Sequence, residues 1–232
     1  MEQLKIGDCV SDGWSVFKKN AGTSIGLVVI FGIISSIGGV IPVVNVVVQM
    51  IVTPVLSAGL SIFALKSVRG EEGKIDDLFK GFNNFGGFLG AYWLYVLIFA
   101  AACVPAAVGF GVDVAIHGGI DNLIPYVTVG FSTVSAAVFA VAMLRFSMVY
   151  YLIIDGMPVM DAFRESARIT RGRSGALFLL VLVCVIIMIA GIMLLFVGLL
   201  AAGPVCMFAF ASAYTRIKQD TAPAGIQGAA PV

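Results

Sequence analysis

Apolar residues fill three long runs of this chain, 20–65, 81–144 and 174–215, which between them carry only Asp113, His117 and Asp121 as acidic, basic or imidazole side chains. None of the runs fits a single membrane crossing. Residues 21–65 alone would extend about 68 Å as one helix at about 1.5 Å per residue, against a hydrocarbon core of about 30 Å. Each run must therefore fold back. Pro42 and Asn45 supply a break in the first, the polar segment 113–122 with His117-Gly118-Gly119 splits the second, and Gly198, Gly203 and Pro204 mark a turn in the third. The pattern predicts spans near 22–41, 46–65, 88–112, 123–148, 176–197 and 200–215. The last is short, and a re-entrant segment is its competing reading.

Between the runs the periodicity changes to that of amphipathic helices. Ile6, Cys9, Val10, Gly13, Trp14 and Phe17 form one stripe; Ile75, Leu78, Phe79 and Phe82 form a second; Val159, Phe163 and Ala167, with Met160 alongside, form a third. Acidic and basic residues lie opposite, a pattern that suits helices in the headgroup layer. Asp77-Leu78-Phe79-Lys80 matches Asp161-Ala162-Phe163-Arg164, and Trp14-Ser15-Val16-Phe17-Lys18 is a looser copy. Small residues four apart follow each: Gly22/Gly26, Gly86/Gly90 and Gly172/Ala176, a spacing that lets helix backbones approach in lipid. The expectation is an all-α polytopic membrane protein: six transmembrane helices and three cytoplasmic interfacial helices, arranged as three hairpin-like repeats. Residues 1–218 form one membrane domain and 219–232 a short flexible tail.

Charge orients the chain. All 14 Lys and Arg residues lie in four clusters outside the apolar runs, save that Arg145 and Lys80 border one and Arg216 and Lys218 follow another. Basic residues next to spans remain on the cytoplasmic side, so six crossings with both termini inside keep every cation on one face. At 60% hydrophobic, 12% charged and a mean hydropathy of +1.05, the chain is no ordinary soluble domain. No stretch is left for a separate catalytic domain of about 100 residues. The basic residues serve topology, which removes nucleic acid as a partner. Cys9, Cys103, Cys184 and Cys206 show no C-x-x-C pairing, so neither a disulfide framework nor a zinc site is expected.

Leu144-Arg145-Phe146, the turn Asp155-Gly156-Met157-Pro158 and the sequence Ala162-x-x-x-Ser166-x-x-x-Thr170-x-Gly172 precede the third pair of spans. This segment resembles a motif of an uncharacterised bacterial superfamily of small polytopic membrane proteins, which includes the membrane domain fused to some glycerophosphodiester phosphodiesterases. Residues 13–20, Gly-Trp-Ser-Val-Phe-Lys-Lys-Asn, look like that superfamily's usual start. The resemblance implies a fold and a bacterial cytoplasmic membrane; it implies no activity, because the phosphodiesterase domain is absent here.

Few residues offer chemistry. His117 with Asp113 and Asp121 reads as a solvated outer loop, with a metal or proton site as the sharper alternative. Arg145 has long apolar sequence on both sides and reads as a snorkelling anchor, or as one half of an ion pair with Asp155 or Asp161. Arg145, Arg164, Arg168, Arg171 and Arg173 are the candidates for lipid headgroup contact. Asn45, Gln49, Ser57 and Ser61, with Thr128, Ser132, Thr133 and Ser135, are the uncharged polar groups a transport path would use. No catalytic or cofactor motif occurs, and no cofactor is expected. The expected function is a non-catalytic scaffold or lipid-associated accessory protein of the cytoplasmic membrane. The alternative is a small transporter or channel for an apolar or lipid-like species. Membrane lipids are the expected partners, with a membrane-protein partner or a second copy as further candidates.

Overall fold

Hydrocarbon forces a chain to satisfy its own backbone N–H and C=O groups, so long apolar runs become helices. The computed structural model describes residues 5–37, 42–117, 126–193 and 197–221, and among them there is helix and no strand. In chain order come α1 (Ile6–Lys19), α2 (Ala21–Ile37), α3 (Pro42–Val47), α4 (Thr53–Val68), a 3-10 helix (Ile75–Asn84), α5 (Phe85–His117), α6 (Tyr126–Phe146), α7 (Val149–Ile154), α8 (Val159–Ile169), α9 (Ser174–Met193) and α10 (Val197–Thr221). Five helical runs are long and apolar enough to cross a membrane. The pair α1–α2, bent by 92°, makes a sixth if it is taken as one.

Proline shapes these helices more gently than the sequence suggests. A π turn, Val48–Val52, joins α3 to α4. Pro54 follows directly; it donates no hydrogen bond and its ring crowds the carbonyl of Met50, and a widened turn accommodates both. Asn45 thus lies in helix, and the break precedes it. Gly198, Gly203 and Pro204 do not turn the chain either: all three lie within α10, whose 25 residues exceed the short span expected at 200–215. A helix of that length needs no re-entrant path. Similarly, α5 continues through Asp113 to His117, so Asp113 is not part of an exposed loop. Gly38, Gly39 and 118–125, including Asp121, lie outside the described residues.

Three short helices do precede α2, α5 and α9, and each buries one face. Cys9, Gly13 and Phe17 are the buried positions of α1; Ala162, Phe163, Ser166 and Ile169 are those of α8. The second differs. It is 3-10, in which residues three apart eclipse, so Leu78 and Gly81 face inward while Phe79 and Phe82 are exposed. The matched tetrapeptides agree in burying Leu78 and Ala162 and in placing Lys80 and Arg164 beside Asp77 and Asp161; they disagree at phenylalanine.

Close backbone approach also falls elsewhere than expected. Space is open around Gly22, Gly26, Gly86 and Gly90. The glycines pressed most tightly by another segment's backbone are Gly59 of α4, where a Cβ would overlap the Leu78 carbonyl, and Gly81, where it would overlap that of Val55. These two seat the 3-10 helix directly on α4. Gly13 does the same for α1 on α10, its Cβ position lying 2.8 Å from the Val205 carbonyl oxygen.

Ion pairs tie one end of the bundle together. Asp77 is fully buried and accepts from Lys66 at 2.9 Å, Lys80 at 2.5 Å and the Lys74 backbone N–H. Asp155, after α7, accepts from Arg69 at 2.9 Å, Lys218 at 2.5 Å and the Tyr214 hydroxyl at 2.6 Å. Arg173 meets Asp220 at 3.4 Å, and Arg216 meets Asp12 at 2.7 Å. The ends of α4, α7 and α10, the short helix α1 and the α8–α9 turn therefore share one charged layer.

Candidate functional site: a helix break beside an aromatic cavity

The fourth predicted span is interrupted near its end. α6 stops at Phe146, Ser147 and Met148 form a turn, and α7 resumes at Val149. Ending a helix leaves its last carbonyls without intrahelical partners, and here each is met by a side chain. The Leu144 carbonyl accepts from Ser147 Oγ at 2.9 Å, that of Arg145 from Ser166 Oγ at 2.8 Å and more weakly from Thr170 Oγ1 at 3.3 Å, whose one proton is shared with the Ser166 carbonyl at 2.8 Å, and that of Phe146 from the Tyr95 hydroxyl. The exchange is mutual. Arg145 Nη1 donates to the Ala167 carbonyl at 3.2 Å, near the end of α8 where a cation suits the helix dipole.

This arrangement gives physical meaning to the spacing of Ala162, Ser166, Thr170 and Gly172. The first three, four apart, are fully buried on one face of α8. Their small size admits α6, and two hydroxyls serve its open end. Gly172 adopts φ +85° and ends the segment in a left-handed turn that other residues enter only at a cost.

Beside the break lies a cavity of about 540 Å³, bounded by α5, α6 and α7 on one side and by α9 and α10 on the other. It is within the range of about 300–1,000 Å³ common for ligand pockets. Its wall is almost wholly carbon, with Tyr95, Phe99, Phe139, Met143, Tyr150 and Phe178 prominent. Rings order one side: Tyr95 stacks on Tyr150 at 6.0 Å and on Phe99 at 5.9 Å, and Phe163 lies 5.0 Å from Tyr95 and 5.1 Å from Phe146. The cavity exists because α5 and α6 pack chiefly on each other, leaving a gap before α9. A second recess of about 400 Å³, between α1 and the α9–α10 pair, is lined by Val10, Trp14 and small residues of α10.

The five arginines named from sequence separate into distinct roles. Arg145 caps α8 and meets neither Asp155 nor Asp161; Asp155 is occupied by Arg69, Lys218 and Tyr214, so the alternative ion pair named from sequence is not formed. Arg173 binds Asp220 and Arg168 binds Glu165 at 2.6 Å. Arg164 stands 3.6 Å from Asp161, both largely exposed. Arg171 is exposed and has no ion-pair partner among the described residues.

Asp113 is buried and accepts from the Thr128 N–H and hydroxyl at 2.6 and 2.5 Å. A carboxylate there caps the start of α6. Six of the eight polar groups named for a transport path are similarly occupied: besides Thr128, Ser57 and Ser61 donate to carbonyls of their own helix, Gln49 to Ser35, Thr133 to Gly130, and Ser135 accepts from the Ala106 N–H freed near Pro105. No group of three metal-ligating side chains occurs among the described residues. The aromatic wall went unnoticed in the sequence, although Tyr92, Tyr95 and Phe99 recur at helical spacing along one span. Compared with known protein families, curated proteins and solved structures, the chain matches none.

Proposed function

We propose that this is a non-catalytic, lipid-associated protein of the bacterial cytoplasmic membrane, with both termini cytoplasmic and the three short helices in the headgroup layer. The observation that carries the reading is the cavity beside Ser147. A pocket walled by carbon, within helices fit to cross a membrane, suits an apolar chain and offers a polar solute nothing to replace its hydration. The resemblance of residues 145–172 to the bacterial superfamily agrees with it, since the motif positions are those that dock α8 on α6.

A lipid carrying a photoreactive group on its acyl chain tests the assignment. Segments 139–147 and 177–181 should be labelled strongly and should resist dilution by unlabelled lipid. Labelling at the same level and exchange rate as outward-facing Val104 and Ile189 would reduce the cavity to ordinary lipid contact.

A second reading, movement of a lipid-like species, is favoured by the helix break, because interrupted spans line the sites of many transporters. Faster transfer of a fluorescent lipid between leaflets of proteoliposomes would support it; transfer at the protein-free rate would set it aside.

A further inference from the structure

The occupant can be specified further, on the basis of the cavity reading above. Two arginines lie next to elements that line the cavity, one at the end of α6 and one in the turn before α9. Arg145 lies between the lining residues Leu144 and Ser147, and among the described residues it uses one of its five N–H donors, toward Ala167. Arg171 follows Thr170, whose hydroxyl reaches the Arg145 carbonyl, and lies in the turn that leads into α9, the helix that carries the lining residues Leu177 and Phe178. Neighbouring Arg164, Arg168 and Arg173 each have an acidic partner, whereas neither Arg145 nor Arg171 has one among the described residues. An apolar slot with two cations on adjoining segments, neither with an acidic partner among the described residues, is complementary to an amphiphile with an anionic head.

We propose that the cavity holds one acyl chain of an anionic phospholipid, whose phosphate is held by Arg145 and Arg171. Guanidinium forks suit phosphate oxygens through paired N–H donors. The Ser166–Thr170 lock fixes the spacing between the two arginines, so the head site is set by the same contacts that close the helix break.

Wild-type protein and variants, equilibrated in micelles with equal phosphatidylglycerol and phosphatidylcholine, can be compared by native mass spectrometry. Wild type should retain phosphatidylglycerol preferentially. Arg171→Gln should reduce that preference about five-fold, the effect of removing one basic residue near anionic lipid, at unchanged melting temperature. Arg171→Lys should keep most of it, and Arg164→Gln, whose charge is already paired, should keep all of it. Ala140→Trp, which fills the cavity, should lose both lipids. Glycerol phosphate at millimolar concentration should displace nothing; displacement would mean a site for free phosphate and overturn the proposal. Equal retention of both lipids by wild type, or full preference in Arg171→Gln, would also overturn it. If those lipids were still lost in Ala140→Trp, the cavity reading would survive that failure. Undiminished retention in Ala140→Trp would sink both.

Discussion

Asp12 and Arg216 lie 2.7 Å apart although 204 positions separate them, so the first helix is fastened to the last. Ser212 donates to the same carboxylate at 2.9 Å. Both charged groups are about two-fifths exposed, and water screens such pairs heavily. The fastening must therefore rest chiefly on Gly13, whose backbone meets that of α10. Asp12→Asn should lower the melting temperature slightly, and Gly13→Val should lower it far more. A thermal-shift comparison in detergent checks the order; the reverse order would make the ion pair the principal contact.

Glycine substitutions separate the two kinds of small-residue position. Gly59→Ala drives a methyl group into the Leu78 backbone and should destabilise by several kcal/mol or prevent folding. Gly90→Ala meets open space within a helix and should be neutral or gain up to about 1 kcal/mol. Equal losses at both sites would indicate that Gly90 packs against something outside this chain.

Ser166→Ala removes the shorter of two hydroxyl bonds to the Arg145 carbonyl, and a loss of about 0.5–1.5 kcal/mol is expected for one hydrogen bond. Because Thr170 also reaches that carbonyl, Ser166→Ala with Thr170→Val should cost more than the two single changes added together. Additive losses, measured by denaturation of the two singles and the double, would show that the hydroxyls do not substitute for one another.

Burial alone would push the Asp155 carboxyl upward, but hydrogen bonds from Lys218, Tyr214 and Arg69 outweigh it and hold the group below its ordinary value. A carboxyl depressed in the folded state stabilises above the unfolded pKa, about 3.9, and loses that contribution as pH falls through its folded value. Melting temperature should therefore drop below about pH 4, and Asp155→Asn should flatten that part of the profile while starting lower at pH 7. An unchanged acid limb in the variant would assign the drop to other carboxylates.

Cysteine labelling addresses the orientation. In a cysteine-free background, Val46→Cys should react with an impermeant maleimide in intact cells and Glu72→Cys should not. Glu72 is the better inner site because a side chain at Gly73 would collide with Phe63. Reaction at Glu72 would reverse the threading.

What was legible in the sequence followed from composition. Hydrophobic runs and clustered charge locate helices because lipid imposes one backbone solution. They could not locate the breaks. Pro54, Pro105 and Pro204 all lie inside helical runs; a π turn precedes the first and a serine hydroxyl takes up an N–H beside the second, in ways that depend on neighbours. The 3-10 geometry of 75–84 was hidden for a similar reason: Gly59 and Gly81 set it by close contact between segments distant in sequence. The cavity is least legible of all, being a gap between helices, although its aromatic lining has a period that can be read.

The joint between α6 and α7 has a consequence for biogenesis. Its open carbonyls are closed by Tyr95, made earlier, and by Ser166 and Thr170, made later. A ribosome that has produced the chain only as far as α6 has thus delivered a helix with an unmet polar group near its end. The closure of that helix end is completed by α8, some twenty residues downstream, and until then it is the step at which quality control has most to recognise.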